Sequence, residues 1–227
     1  MENVSCNAKI LETLATKSST KQLVYRQTQG AFSDLKHMLA TVANELNSHI
    51  CDLDKSVVVA YEDHGEHEAR IRFSGDVLVF HMHTNAYLID EKHEIRRSSY
   101  IKEDASRAFF GMIHIYNFLS DSLKYNRLND IGHLVGRIFI NKDKHFFVEG
   151  KRQLSFLYRD LANEKLDNSM LRSLVENAIL LALNFDLSVP PFQNIQEINV
   201  FQMLNISQEM KVRKRSELGF KFSQQNL

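Results

Sequence analysis

The chain has 227 residues, and its 28 basic and 28 acidic side chains give a formal net charge of zero. Apolar types supply 44 % of it and charged types 25 %, which excludes a disordered tract, a collagen-like fibre and a low-complexity segment. A neutral chain has no global field to concentrate nucleic acid or anionic lipid, and one of this length can bury a core without disulfide or structural metal.

Residues 1–30 read as a helical arm. Ile10, Leu11 and Leu14 have helical spacing, and 17–21 is a polar break. From residue 31 the pattern sharpens. Phe32, Leu35, Leu39, Val42 and Leu46 recur every three or four positions and predict an amphipathic helix over 31–49. The period then falls to two. Segments 56–62, 68–73 and 76–83 predict three strands, and 86–90 a short fourth. Ser74-Gly75 fits a two-residue hairpin turn, with glycine free to take a positive φ.

Phe109, Met112, Tyr116, Leu119 and Leu123 then fit one helical face from about Asp104 to Asn126, widened by Phe110, Ile113 and Ile115. Segments 135–141 and 144–149 predict a second hairpin around Lys142-Asp143, with a further strand over 152–158. A third helix is expected over 168–183, ended by Pro190-Pro191, and a weaker one around Ile195, Ile198, Phe201 and Leu204.

The expected fold is α+β: a two-layer, mainly antiparallel sheet with helices on one face. Its order is one helix, three or four strands, a helix, two or three strands, and a helix. Helical extensions flank a core domain at 31–185, an arm at 1–30 and a C-terminal extension at 186–227. Over 31–185 this order resembles the two-layer fold of secretion chaperones, a resemblance of element order that implies no activity.

If Ser74-Gly75 is the turn, Phe73 lies opposite Asp76, Arg72 opposite Val77, Arg70 opposite Val79 and Glu68 opposite His81. One face then carries Ile71, Phe73, Leu78, Phe80 and Met82, with Val58 and Ala60, and belongs under the helices. The other mixes Glu68, Arg70, Arg72, His81 and His83 with Val57, Val59, Tyr61, Val77 and Val79. Apolar residues beside charges on an outer face point to a covered surface. A terminal extension of the same chain, a second copy or another molecule could cover it. Partner-binding residues are therefore expected at Val57, Val59, Tyr61, Val77, Val79, Arg70 and Arg72. The leading expectation is a non-enzymatic protein-binding or assembly module without cofactor, whose partner is another protein or a second copy in a homodimer.

Two chemical alternatives stand beside it. His81 and His83 point the same way, with Glu66 and Glu68 near them, a set that could hold a divalent metal for a hydrolase. Glu149-Gly150-Lys151 resembles the E-x-K element of restriction-type nucleases, with Asp130 as the upstream acid. In that resemblance the glutamate holds a metal and the lysine offsets charge at the phosphate. The basic cluster Lys211, Arg213, Lys214 and Arg215 could add nucleic-acid contacts. No G-x-G-x-x-G, P-loop, G-x-S-x-G or H-E-x-x-H occurs. Cys6 and Cys51 are expected to be free thiols. The opening residues lack a secretory pattern and no apolar run is long enough for a bilayer, so the expected address is cytoplasmic, without membrane contact.

Overall fold

A computed structural model describes residues 6–50, 52–151, 154–185 and 200. Helix α1 (Cys6–Thr13) passes through one π-helical turn (Leu14–Ser18) into the long helix α2 (Ser19–Ile50). The polar stretch at 17–21 does not break the chain's helical course, and the boundary at residue 30 lies inside α2. Lysine, serine and threonine cost a helix only tenths of a kcal/mol each, roughly 0.3–0.7, and packing outweighs that. The buried stripe of α2 runs Val24, Thr28, Ala31, Phe32, Leu35, Leu39, Val42 and Ala43.

Three strands follow: β1 (Val59–Asp63), β2 (Glu68–Phe73) and β3 (Asp76–Met82). A two-residue strand β4 (Tyr87–Leu88) precedes helix α3 (Ser99–Glu103), and the long strand β5 (Phe109–Leu119) runs into helix α4 (Ser120–Lys124). Strands β6 (His133–Asn141) and β7 (Phe146–Gly150), helix α5 (Leu154–Leu157) and helix α6 (Asn168–Leu183) complete the described elements. All strand pairings are antiparallel. The order across the sheet is β1-β2-β3-β5-β6-β7, with β4 also paired to β5. The fold is α+β, built on a seven-stranded antiparallel sheet.

The β2–β3 hairpin has the register that its turn dictates, from Phe73 opposite Asp76 to Glu68 opposite His81. The left-handed residue of that turn is Ser74 (φ 54°), not Gly75. Helix α6 has the expected bounds, with the Asp167 carboxylate accepting from the Met170 amide at 2.8 Å as its N-cap.

Two expected elements change type. Residues 109–119 form a strand, not a helix. β5 sits between β3 and β6, and on its helix-facing side Gly111, Ile113, Ile115 and Asn117 are all buried. Its other side buries Phe110 and Met112 and half-buries His114, Tyr116 and Phe118. A strand covered on both faces loses the period-two pattern, and its continuous apolar run matches a helical stripe by accident. The element order that resembles secretion chaperones loses its middle helix with it. Within 152–158, Leu154–Leu157 is a helical turn rather than a strand. The helix expected around Ile195 to Leu204 lies outside the described residues, apart from residue 200.

Helices α2 and α6 lie on one face of the sheet and against each other. Beneath them is the main core, including Phe32, Leu35, Ile71, Leu78, Phe80, Ile113, Ile138, Phe146 and Leu174. Where α2 crosses β5, a Cβ on Gly111 would meet Thr28 Oγ1 at 1.9 Å, so only glycine lets the helix approach this closely.

Candidate functional site

The second sheet face is divided in two. One half is covered by the chain's own connection between β4 and β5. Ile89, Ile101 and Ala108 from that connection, with Leu161, bury Phe110, Met112, Phe139 and Phe147. Phe139 and Phe147 stack at 4.6 Å, and Phe110 meets Phe147 edge-on at 5.3 Å. The cover expected from a terminal extension is thus, over this half, an internal segment.

Polar contacts fasten the segment to the β6–β7 hairpin. Lys142 Nζ donates to Asp104 at 2.5 Å, and Arg107 Nε to Asp143 at 3.2 Å. The Tyr100 hydroxyl donates to Asp143 at 3.0 Å and accepts from Asn141 Nδ2 at 3.0 Å. Arg107 also lies over the Tyr100 ring, 4.2 Å from its centroid. Lys142 and Ser106 hold the Asp104 carboxyl well below the usual carboxylate range. Burial pushes the Tyr100 hydroxyl up to about 12.

The other half has no helix over it among the described residues. Register places its members in rows: Arg72, Val77 and Phe118; Arg70, Val79, Tyr116 and Leu134; then Glu68, His81, His114, Arg137 and Glu149. His81 and Leu134 are exposed, and His114, Tyr116 and Phe118 are half-buried. Burial, then Arg137, His81 and His83, lowers the His114 pKa and favours its neutral imidazole. Beside this strip a groove of about 840 Å³ opens, walled by Glu62, Arg70 and Arg72 on the sheet and by Lys124 and Arg127 from α4 and its following loop. Its apolar lining is Val77, Leu119 and Leu123.

Of the partner-binding residues expected from sequence, Arg70, Arg72, Val77 and Val79 share this face. Val77 and Val79 are only 3 % and 7 % exposed, flanked in register by the arginines and by Tyr116 and Phe118. They form the floor of the strip and not its contact surface. Val59 and Tyr61 are on the opposite face. Val59 pairs with Phe73 and Tyr61 with Ile71, so both pack under the helices, and Ala60 turns outward with Arg72. The 64–67 loop fixes that register, and a loop of four residues with no diagnostic turn dipeptide dictates none from sequence. Val57 precedes β1 in a turn whose amide donates to the Asp54 carbonyl.

The four residues of the metal reading do not converge. Glu68 is held by Arg70 at 2.5 Å, and His83 is engaged by the Tyr87 hydroxyl at 2.7 Å. Glu66 is exposed in the β1–β2 turn and His81 faces solvent. Among the described residues no three His, Cys, Asp or Glu side chains are grouped to hold a metal ion. The E-x-K residues fare similarly. Glu149 is bonded by Arg137 and by His93 at 3.2 Å, which occupies the carboxylate a metal would need. Lys151 is exposed beyond β7, and Asp130 is tied to Ser122 at 2.5 Å. Lys211, Arg213, Lys214 and Arg215 lie outside the described residues, as does Cys51. No helix among the described residues is long and apolar enough to cross a membrane.

Sequence reasoning missed Tyr116, Phe118, Lys124, Leu134 and Arg127. Four of them fall in or beside the segment read as a helix, and alternate-residue partition of 109–119 would have put Tyr116 and Phe118 on the outer face. No protein-family model matches this chain, and no curated protein or solved structure matches it either.

Proposed function

We propose that this chain is a protein-binding module, and that the open half of its second sheet face receives the partner. One observation carries the reading: a single continuous sheet face is roofed over Phe110, Met112, Phe139 and Phe147 but left without a roof over His81, Tyr116 and Leu134, while Gly132 packs on the Phe118 ring at its margin. The open strip mixes aromatic and apolar groups with arginines, the composition of an interface centre. The floor valines are already dry, so a partner needs to displace water only from the rings and long side chains above them. A second copy of the chain is one partner this surface suits, since a neutral molecule offers little charge repulsion against self-association. Nothing in the strip brings a nucleophile and a base together, so the reading is a binding role rather than catalysis.

A photo-crosslinking amino acid placed at Leu134 tests this in cells that express the chain. The expected result is a discrete adduct from position 134 and none from Glu176, an exposed site on α6. An adduct of twice the chain mass identifies a second copy, and any other mass a different protein. Equal labelling from both positions contradicts the proposal.

A further inference from the structure

The groove beside the strip is lined by more cations than carboxylates. Four cations line it, Arg70, Arg72, Lys124 and Arg127, against two carboxylates, Glu62 and Asp121. The chain as a whole is neutral, so this is an excess among the lining residues, although Glu68 and Asp130 just outside the lining pair with Arg70 and Arg127.

Arg70 is held closely by Glu68, but the pairing of the other three cations is loose. Elsewhere arginines donate to several close acceptors: Arg107 bonds three oxygens within 3.2 Å, and Arg172 bonds Glu45 and Glu176. Among the described residues Arg127 makes no side-chain hydrogen bond, and its ion pairs to Asp121 and Asp130 are 3.5 and 3.6 Å long. Arg72 offers only Nε to Glu62, at 3.3 Å, and its terminal nitrogens bond nothing among the described residues. Lys124 makes no ion pair there and sits over the Tyr125 ring at 5.1 Å. Fork-shaped donors left with long contacts can turn toward a better acceptor at little cost.

We infer that this groove binds a phosphorylated side chain of a partner protein, its phosphate held by Arg72 and Arg127 with Lys124 beside them. The inference rests on the protein-binding reading above. A ligand carboxylate would gain nothing over Glu62 and Asp121, which already offer one negative charge each. A phosphate monoester brings close to two charges and three acceptor oxygens, and so outcompetes them. The more accessible apolar lining from Leu119 and Leu123 suits the stem of the modified residue and its neighbours. The groove is partly open to solvent, whereas small-molecule sites enclose most of their ligand. A side chain projecting from a docked chain needs such an opening.

The test uses the full chain and degenerate peptides with a central phosphoserine, phosphothreonine or phosphotyrosine, alongside the same peptides unphosphorylated, in fluorescence polarisation. At least one phosphorylated set is expected to bind tenfold or more tightly than its unphosphorylated counterpart. Arg72→Gln/Arg127→Gln is expected to remove that preference with the circular dichroism spectrum unchanged. If the double variant unfolds, Arg72→Gln/Lys124→Gln, which leaves the Arg127 loop contacts intact, serves in its place. Equal binding of both peptide forms, or a preference that survives the substitutions, overturns the inference. So does single-stranded RNA binding as tightly as the best phosphopeptide, which would reassign the phosphate to a nucleic-acid backbone. Position 134 lies outside the groove. An adduct there without phosphopeptide preference would leave the docking face standing and remove only the phosphate.

Discussion

Gly111 shows how one residue type sets the distance between layers. Any larger side chain would enter the space of Thr28, whose Oγ1, Cβ and Cγ2 lie 1.9, 2.8 and 2.9 Å from a built Cβ. Thr28 is buried and bonded to the Val24 carbonyl, so it has little room to give. Gly111→Ala is therefore expected to cost about 1–3 kcal/mol, the usual range for overpacking a tight core. Urea denaturation reads the loss, and Thr28→Ala in the same chain should recover part of it. Full additivity of the two changes would mean that they do not touch. From sequence Gly111 is one glycine in an apolar run, and nothing in that run announces the helix above it. Ser74 is the converse: its neighbour Gly75 looks like the left-handed residue, yet the turn places Ser74 at φ 54°. The dipeptide marked the turn without saying which member bends.

Elements were legible where one face is wet. The β2–β3 hairpin alternates buried and half-buried positions along β2, and its register followed from the turn alone. α6 carries a clean stripe and a capping aspartate. β5 was illegible because it is the middle of the sheet: both faces are wholly or partly covered, and alternation vanishes. The β1 residues Val59 and Tyr61 were put on the wrong face for a different reason, since a one-residue change of register exchanges the faces. The segment covering half of the second face was unreadable as an element, being short helical turns held by side chains. Asp104 is the tie with the clearest pH signature. Its pKa is lowered in the folded chain, so its contribution is present above the ordinary aspartate range near 3.9 and fades as pH falls toward the folded value. Asp104→Asn is accordingly expected to lower the melting temperature at pH 7, and the gap to the parent chain should narrow below about pH 4. A gap independent of pH would show that the carboxylate's charge is not what fastens the segment.

At the scale of the whole molecule, fold class was readable and the site only in part. The outer-face arginines and the dry valines were found, because they lie on the hairpin whose register is fixed. Tyr116, Phe118 and Leu134 were not, because they lie on or beside the strand whose type was misread. The molecule that results is lopsided: two helices seal one face, and a tethered segment seals half of the other. The unroofed half is where a partner would complete the second layer. Hydroxyl-radical footprinting of the dilute chain measures that division directly. Met112, Phe139 and Phe147 should be protected, while His81, Tyr116 and Leu134 are labelled. Labelling of Met112, Phe139 and Phe147 as fast as that of His81 and Leu134 would contradict the account, because the face would then have no covered half to set against an open one.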